Sequence, residues 1–327
     1  MNHFFNNSTK KKLTTLASNI ENGKTTERYF AGLLTTALNA RVSFTSRTED
    51  DSKVDLVTIF SHPWIKNEVR ILATQVKSGN TYASYENGTL IIKPQNFTDL
   101  LSKNDWTLVC WTKVENDEGY WFLVKPNSKF IKPEYNSNHI LNPLTKFHLI
   151  RIIYSKINSN GGLGLIFKRN NIYQKYNREE FISLRLKAKN KYSKIKKLNI
   201  VNPLFGEIEF TRLGWRHITR ESRWYYYTTA SFEAIQILDK ILLLSPTKHY
   251  TLKHETNSDN SLFYTENEYL LNYDKIKVFD SDTGETKKVE VFIKLLEISG
   301  YQKDWKNTPK ANINYSRRVI FKSIYYK

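Results

Sequence analysis

Three polar side chains on two predicted strands have the types that phosphate chemistry requires. Asp55 lies in the apolar run 54–59, and Gln75 and Lys77 lie near the end of the run 71–77. Both runs are rich in β-branched residues, which favours strands. Side chains two apart on a strand share a face, so Gln75 and Lys77 should point the same way, with Val76 turned into the core. A carboxylate, an amide oxygen and a lysine on adjacent strands suit a metal ion and a phosphate, and therefore cleavage of a phosphodiester.

The elements that must position these side chains follow from the local pattern. Residues 13–38 read as helix, with a break predicted at Asn22-Gly23 and with Thr25 or Thr26 capping a second helix. Glu27 would then lie in the first turn of that helix, beside an apolar face with 3–4 spacing. Strands are expected near 41–45, 54–60, 69–77, 89–93, 106–113 and 120–126. Ser78-Gly79 predicts a tight turn at the exit of the Lys77 strand.

The three polar residues resemble the signature of the PD-(D/E)xK nucleases, in the variant in which Gln replaces the second acid. The resemblance includes Glu27 upstream and the aromatic strands 106–111 and 120–124 downstream, and it covers roughly residues 10–150. It implies a restriction-endonuclease-like mixed sheet flanked by helices. It also implies Mg²⁺, or Mn²⁺, held by Asp55, Gln75, the Val76 carbonyl and, through water, Glu27, with Lys77 activating the attacking water.

Two other interpretations of these residues stay open. Asp and Lys are common on the solvated face of a sheet. The nuclease fold could also be present but catalytically inert, serving as a module that binds nucleic acid or a partner protein, and Gln75 in place of an acid is consistent with that. A catalytic site predicts that substitution of Asp55 or Lys77 abolishes cleavage while folding and binding survive.

The positive charge is concentrated in the second half of the chain. The net charge of the 327 residues is +18. Residues 1–150 hold 18 Lys and Arg against 14 Asp and Glu, and residues 151–327 hold 32 against 18. A basic, aromatic-rich half is typical of a protein that binds nucleic acid. Solubility, or a genome rich in A and T, would give a similar composition.

The segment 214–223 packs one His and three Arg into ten residues. His217 suits a general acid or base near neutral pH, Arg216, Arg220 and Arg223 suit phosphate contacts, and Tyr225 is a candidate to stack on a base. With the strands that follow, the region 205–327 resembles the barnase–EndoU–colicin–RelE ribonucleases. That resemblance adds Ser323 or Tyr325 of the last strand as contributors. Arg220 and Glu221 stand where a second His is expected, so the alternative is a basic surface helix that docks DNA or the first domain.

The predicted organisation is therefore a fold of class α/β plus α+β in three parts. Residues 1–150 form the nuclease-like domain, 151–204 a basic connector, and 205–327 a basic α+β domain with an antiparallel sheet, in which 231–244 is helix and 261–265, 268–272 and 275–280 are strands. A single cysteine, Cys110, excludes an internal disulfide and is expected to be buried, which fits a cytoplasmic protein. No segment is apolar and long enough to predict a membrane span.

The expected partner is nucleic acid, with DNA favoured over RNA for the first domain. Two further partners stay open. One is a second copy of the chain, because restriction-like nucleases often cut two strands as dimers. The other is a partner protein, because the pairing of two nuclease-like domains suggests prokaryotic defence against phage.

Overall fold

The protein is described by a computed structural model that covers residues 7–45, 54–113, 118–157, 162, 164–169, 175–220, 222–307 and 315–327. The chain divides into two compact units. The first comprises the described residues of Met1–His62, Lys66–Lys146 and Lys306–Asn312, and the second those of Pro63–Ile65, Phe147–Trp305 and Ile313–Lys327. The described residues of 151–204, a segment that the sequence predicted as a connector, therefore belong to the second unit.

The first unit is built on a mixed five-stranded sheet. Its strands are β1 (Arg41–Phe44), β2 (Leu56–Ser61), β3 (Val69–Ser78), β6 (Thr107–Thr112) and β7 (Tyr120–Val124), in the order β1-β2-β3-β6-β7. The strands β1, β2 and β3 form an antiparallel meander, β6 runs parallel to β3, and β7 is antiparallel to β6. The predicted strands are thus present, and the buried aromatic run of β6 and β7 lies at one side of the sheet.

One long helix, α1 (Asn7–Leu38), precedes this sheet and packs on β1, β2 and β3. Its apolar residues from Phe30 to Leu38 are buried with the predicted 3–4 spacing. The predicted break at Asn22-Gly23 is wrong, because the helix continues through both residues. The Thr26 hydroxyl donates to the Asn22 carbonyl one turn earlier, at 2.7 Å, instead of capping a new helix. Burial of the apolar face outweighs the cost of a helical glycine, about 1 kcal/mol, so Glu27 lies inside the helix.

A smaller layer packs on the aromatic part of the sheet. It consists of β4 (Ala83–Glu86), β5 (Thr89–Ile92) and β8 (Glu134–Tyr135), with 3₁₀ turns at Pro94–Leu100 and Ser137–His139. One hydrophobic cluster joins this layer to the sheet, and its members are Ala83, Leu90, Ile92, Phe97, Leu100, Val109, Trp111, Tyr120, Phe122, Val124 and Ile131. The layer packs on the face of β6 that carries Val109 and Trp111, the residues that pair with Gln75 and Lys77 of β3.

The second unit is built on a long antiparallel sheet. The strands β12 (Lys248–Ser258), β13 (Leu262–Asp280), β14 (Thr286–Gln302) and β15 (Tyr315–Tyr326) pair in that order, and β9 (Ile166–Arg169) adds in parallel to β13. The three strands predicted within 261–280 are one strand of 19 residues. Its pairing with β14 is interrupted between Tyr273 and Ile276, where Lys275 adopts φ +61°, and then resumes. A bulge of this kind bends a strand without ending it.

Helices and short strands cover this sheet. They are α2 (Thr145–Ile157), α3 (Arg178–Ile195), β10 (Val201–Asn202), β11 (Gly206–Glu207), α4 (Arg212–Thr219), α5 (Tyr225–Ala234), a 3₁₀ turn (Ile235–Ile237) and α6 (Leu238–Ile241). The single helix predicted at 231–244 is thus α5, the 3₁₀ turn and α6 in succession. α4 and α5 pack on β15. Gly214 permits the close approach of α4, because a Cβ there would lie 2.6 Å from the Phe321 carbonyl oxygen.

The described residues form a mixed α/β structure with helix-flanked sheets and an antiparallel region. None of its helices, within that part of the chain, combines the length and hydropathy that a bilayer crossing requires.

Candidate active site

Asp55 reaches across from the start of β2 to the main chain of β3. Its backbone N–H donates to the Thr74 carbonyl at 3.0 Å, which fixes the entry of the strand. Its carboxylate Oδ2 accepts a hydrogen bond from the Val76 N–H at 2.5 Å. The same oxygen lies 4.0 Å from Lys77 Nζ. The structure therefore brings together the predicted carboxylate and the predicted lysine.

The side chains of Asp55, Gln75 and Lys77 are largely buried but keep some solvent exposure. The side chains of Asp55 and Lys77 are 10% and 20% exposed. Lys77 Nζ also lies over the Tyr82 ring, 5.6 Å from its centroid, so an aromatic face supports the ammonium group. Gln75 is 4% exposed, and its amide makes no hydrogen bond to another described residue. That amide oxygen is consequently available as a ligand.

The register of β3 against β6 explains how this end of β3 is held. Gln75, Val76 and Lys77 pair with Val109, Cys110 and Trp111. Val76 is buried, as predicted, between the two polar residues. Cys110 is buried and unpaired, also as predicted. Burial, together with the negative charge of Asp55, raises the pKa of the Cys110 thiol, so this thiol stays protonated and unreactive.

The turn after β3 places the end of the strand firmly. Gly79 adopts φ +78°, the left-handed conformation that glycine tolerates best. Its N–H donates to the Thr112 carbonyl at 3.1 Å, and its own carbonyl accepts from the Trp111 indole at 3.0 Å. The predicted tight exit at Ser78-Gly79 is confirmed.

The oxygen donors at this site fit a weakly held divalent ion. The Asp55 carboxylate and the Gln75 amide are hard oxygen ligands of the kind that Mg²⁺ prefers. Among the described residues, no group of three or more Asp, Glu, His or Cys forms a metal-binding cluster. Glu27 lies half-buried within α1, the helix that contacts β3. A site with so few acids would rely on water and on substrate phosphate oxygens to complete the metal shell.

The second unit contains a basic cavity of about 530 Å³, open on one side. Three of the predicted residues, His217, Arg220 and Arg223, line it together with Ser323 and Tyr325 of β15. Tyr227, which the sequence also suggested as a base-stacking residue, lines the cavity too. The side chains that the sequence did not single out are Ser222, Trp224, Glu268, Lys294, Lys322 and Lys327. The cavity is therefore formed by the α4–α5 segment facing the interior of β13 and β14 and the C-terminal part of β15.

The surroundings of His217 disfavour its charged form. Burial, and then the positive charges of Lys322 and Arg220, lower its pKa below the ordinary value of a histidine. Arg223 is held beside it, because its Nη1 donates to the His217 carbonyl at 3.3 Å.

Two predicted phosphate and base contacts lie elsewhere. Arg216 is exposed on α4 and does not line the cavity, because it is adjacent to His217 on a helix and points to another side. Tyr225 lines a smaller neighbouring cavity of about 240 Å³ with Phe181. Its hydroxyl donates to the Tyr176 carbonyl at 3.0 Å. The two cavities share Arg220 and Arg223, so the predicted cluster is partly divided between them.

Comparison with known proteins adds no relative. No protein-family model matches the chain, and no curated protein or solved structure is significantly similar to it.

Proposed function

We propose that the first unit is a metal-dependent nuclease that hydrolyses phosphodiester bonds in nucleic acid, with DNA as the favoured substrate. The observation that carries this proposal is the position of Asp55. Its carboxylate lies against the Val76 N–H and 4.0 Å from Lys77 Nζ, near the end of β3, the strand that also carries Gln75. A carboxylate and an ammonium group meet there, and Gln75 lies two residues before Lys77 on the same strand.

The order and direction of the strands support a restriction-endonuclease-like fold. A helix is followed by an antiparallel meander of three strands, and the next strand of the sheet runs parallel to the third. The acid lies at the start of the second strand and the Gln-Val-Lys segment lies near the end of the third. This is the arrangement that the resemblance to the PD-(D/E)xK nucleases implies.

Each residue would contribute a distinct part of the chemistry. Asp55, Gln75 and the Val76 carbonyl would hold Mg²⁺ or Mn²⁺, with Glu27 contributing through water. The bound metal would polarise the phosphate and stabilise its added negative charge. Lys77 would orient the attacking water and offset negative charge at phosphorus. The Tyr82 ring and the Gly79 turn keep Lys77 and its strand in place.

Plasmid DNA provides the direct test, with Mg²⁺, Mn²⁺ or EDTA. Asp55→Asn keeps the size and hydrogen-bonding oxygen of the side chain but removes its charge. Its matched control is Asp105→Asn, at an exposed loop position of the same unit. Cleavage that needs metal, stops in Asp55→Asn and persists in Asp105→Asn supports the proposal. Equal cleavage by both variants contradicts the assignment of Asp55.

The alternative is an inert nuclease-fold module that binds nucleic acid or a partner protein. It predicts that DNA is bound but never cut, with binding that weakens steeply as salt rises. The cellular setting that fits the nuclease proposal is the cytoplasm of a prokaryote, in defence against phage, which is an inference by analogy of fold.

A further inference from the structure

The cavity of the second unit carries a surplus of positive charge. Five Lys and Arg side chains line it, in addition to His217. Among the described lining residues, Glu268 is the acidic one. Glu268 already forms an ion pair with Lys322 and another with Lys294, the latter at 3.3 Å. Its single negative charge is divided between these two lysines, so the five cations leave the cavity with a positive surplus.

A β-bulge directs one of these cations into the cavity. Lys294 pairs with Ser323 and Leu295 pairs with Phe321, so Lys322 is the extra residue on β15. Bulges re-aim a side chain relative to the regular alternation of a strand. Burial and the charge of Arg220 also lower the pKa of Arg223, which shows that the guanidinium groups are crowded. A bound anion would relieve this repulsion.

The rim of the cavity is aromatic. Trp224 is 80% exposed, which is unusual for so large an apolar ring. Tyr227 and Tyr325 meet edge to face, with their centroids 5.9 Å apart, and both line the cavity. Guanidinium groups beside exposed aromatic faces are the combination that binds the phosphate and the base of a nucleotide.

We propose that this cavity binds a phosphorylated nucleotide, with its phosphate at Arg220, Arg223 and Lys322 and its base against Trp224. The volume of about 530 Å³ lies within the range of small-ligand sites, roughly 300–1,000 Å³. The ion-paired Glu268 fits a binding site better than it fits a general base, because both of its oxygens already interact with lysines. The proposal does not depend on the nuclease site, since every lining residue belongs to the second unit.

Two sources could supply this ligand: a free nucleotide, or the terminal nucleotide of a single strand with a 5′-phosphate. Isothermal titration of the full chain in EDTA would use ATP, AMP, pyrophosphate and single-stranded oligonucleotides with and without a 5′-phosphate. EDTA keeps the metal-dependent site of the first unit idle, so failure here is distinguishable from failure of the proposed nuclease.

Two variants separate phosphate from base recognition. Arg220→Ala removes an exposed cation and should weaken every phosphorylated ligand by about tenfold or more. Trp224→Ala should weaken nucleotides by about tenfold and leave pyrophosphate unchanged. The controls are Arg212→Ala, exposed on α4 outside the cavity, and Tyr250→Ala, 48% exposed on β12. Both should bind as wild type does.

Free nucleotides that bind as well as the 5′-phosphorylated strand would identify a small-molecule site, and preference for the strand would identify a strand end. Either result supports the proposal. Pyrophosphate that binds as tightly as the nucleotides, with Trp224→Ala unchanged, would overturn base recognition. Nucleotide binding that is unaffected by Arg220→Ala and Arg223→Ala would overturn the site itself.

Discussion

Replacement of Glu297 by Gln should destabilise the second unit strongly. Glu297 is 2% exposed and lies on β14 in the middle of the antiparallel sheet. Its carboxylate accepts from Arg151 at 2.8 and 2.9 Å, from Arg317 at 2.6 Å and from the Tyr269 hydroxyl at 3.1 Å. Gln keeps the shape but removes the charge that two buried guanidinium groups require.

Two arguments give similar values for the loss in free energy of unfolding. Burial alone would raise the pKa of Glu297, but Arg151 and Arg317 outweigh it and lower the pKa to about 2, against 4.5 ordinarily. At about 1.4 kcal/mol for each pKa unit, the charged form contributes about 3 kcal/mol. Removal of one partner of a buried pair costs about 3–5 kcal/mol. For a domain of this size, 3 kcal/mol lowers Tm by roughly 10 °C.

The direction of the pKa shift predicts how the stability difference between wild type and Glu297→Gln changes with pH. Because the pKa of Glu297 is lower in the folded state, its contribution is complete above the unfolded pKa of 4.5 and is lost as pH falls toward 2. Urea unfolding of wild type and Glu297→Gln should therefore differ by about 3 kcal/mol at pH 7 and by about half of that at pH 3.

Glu285→Gln, at an exposed turn of the same sheet, is the control and should change stability by less than about 0.5 kcal/mol. A Glu297→Gln variant as stable as this control at pH 7, or a difference that does not change with pH, would refute the reasoning.

Three further predictions concern the remaining structure. Gly214→Ala should cost about 1–3 kcal/mol and weaken nucleotide binding, because its Cβ would meet the Phe321 carbonyl. Thermal melting checks this, and Gly32→Ala, with no atom within 4 Å of the added Cβ, should not lower stability. Burial lowers the pKa of His139 to about 4, against the opposing hydrogen bond to the Trp121 carbonyl. Between pH 6.5 and 4, the free energy of unfolding should therefore decrease less in His139→Gln than in wild type, as measured by urea unfolding. An equal decrease in both proteins would contradict this. If His217 acts as an acid or base on RNA, as its residue type suggests, RNA is cut in EDTA and His217→Ala stops the cutting; undiminished cutting by that variant excludes the role.

One part of the candidate site could be predicted because side chains alternate between the two faces of a strand. Gln75 and Lys77 lie two residues apart on β3 and therefore share a face, and Val76 between them is buried. Gly79, in the left-handed conformation, follows the end of the strand. The contact between Asp55 and the Val76 N–H joins residues 21 apart. Strand pairing determines that contact, and only the motif suggested it beforehand.

The basic cavity shows why other contacts in the structure could not be predicted from the sequence. Glu268 and Lys294 meet because β13 and β14 pair in a particular register, which a single sequence does not reveal. Lys322 enters the cavity through a bulge, against the alternation that a strand pattern predicts. Likewise, the helix α1 continues through Asn22-Gly23 because packing of its later turns outweighs the local glycine signal.

The central claim is tested most directly by the rate at which Lys77→Ala cuts DNA in Mg²⁺, measured beside wild type and Lys66→Ala. Lys66 is exposed in the turn between β2 and β3, so its removal matches the loss of charge without touching the site. The nuclease proposal predicts that Lys66→Ala cuts as wild type does. It predicts that Lys77→Ala is slower by about 10²–10³-fold, with DNA binding retained. Equal rates for the two variants, or no cleavage by wild type with any metal, would contradict it.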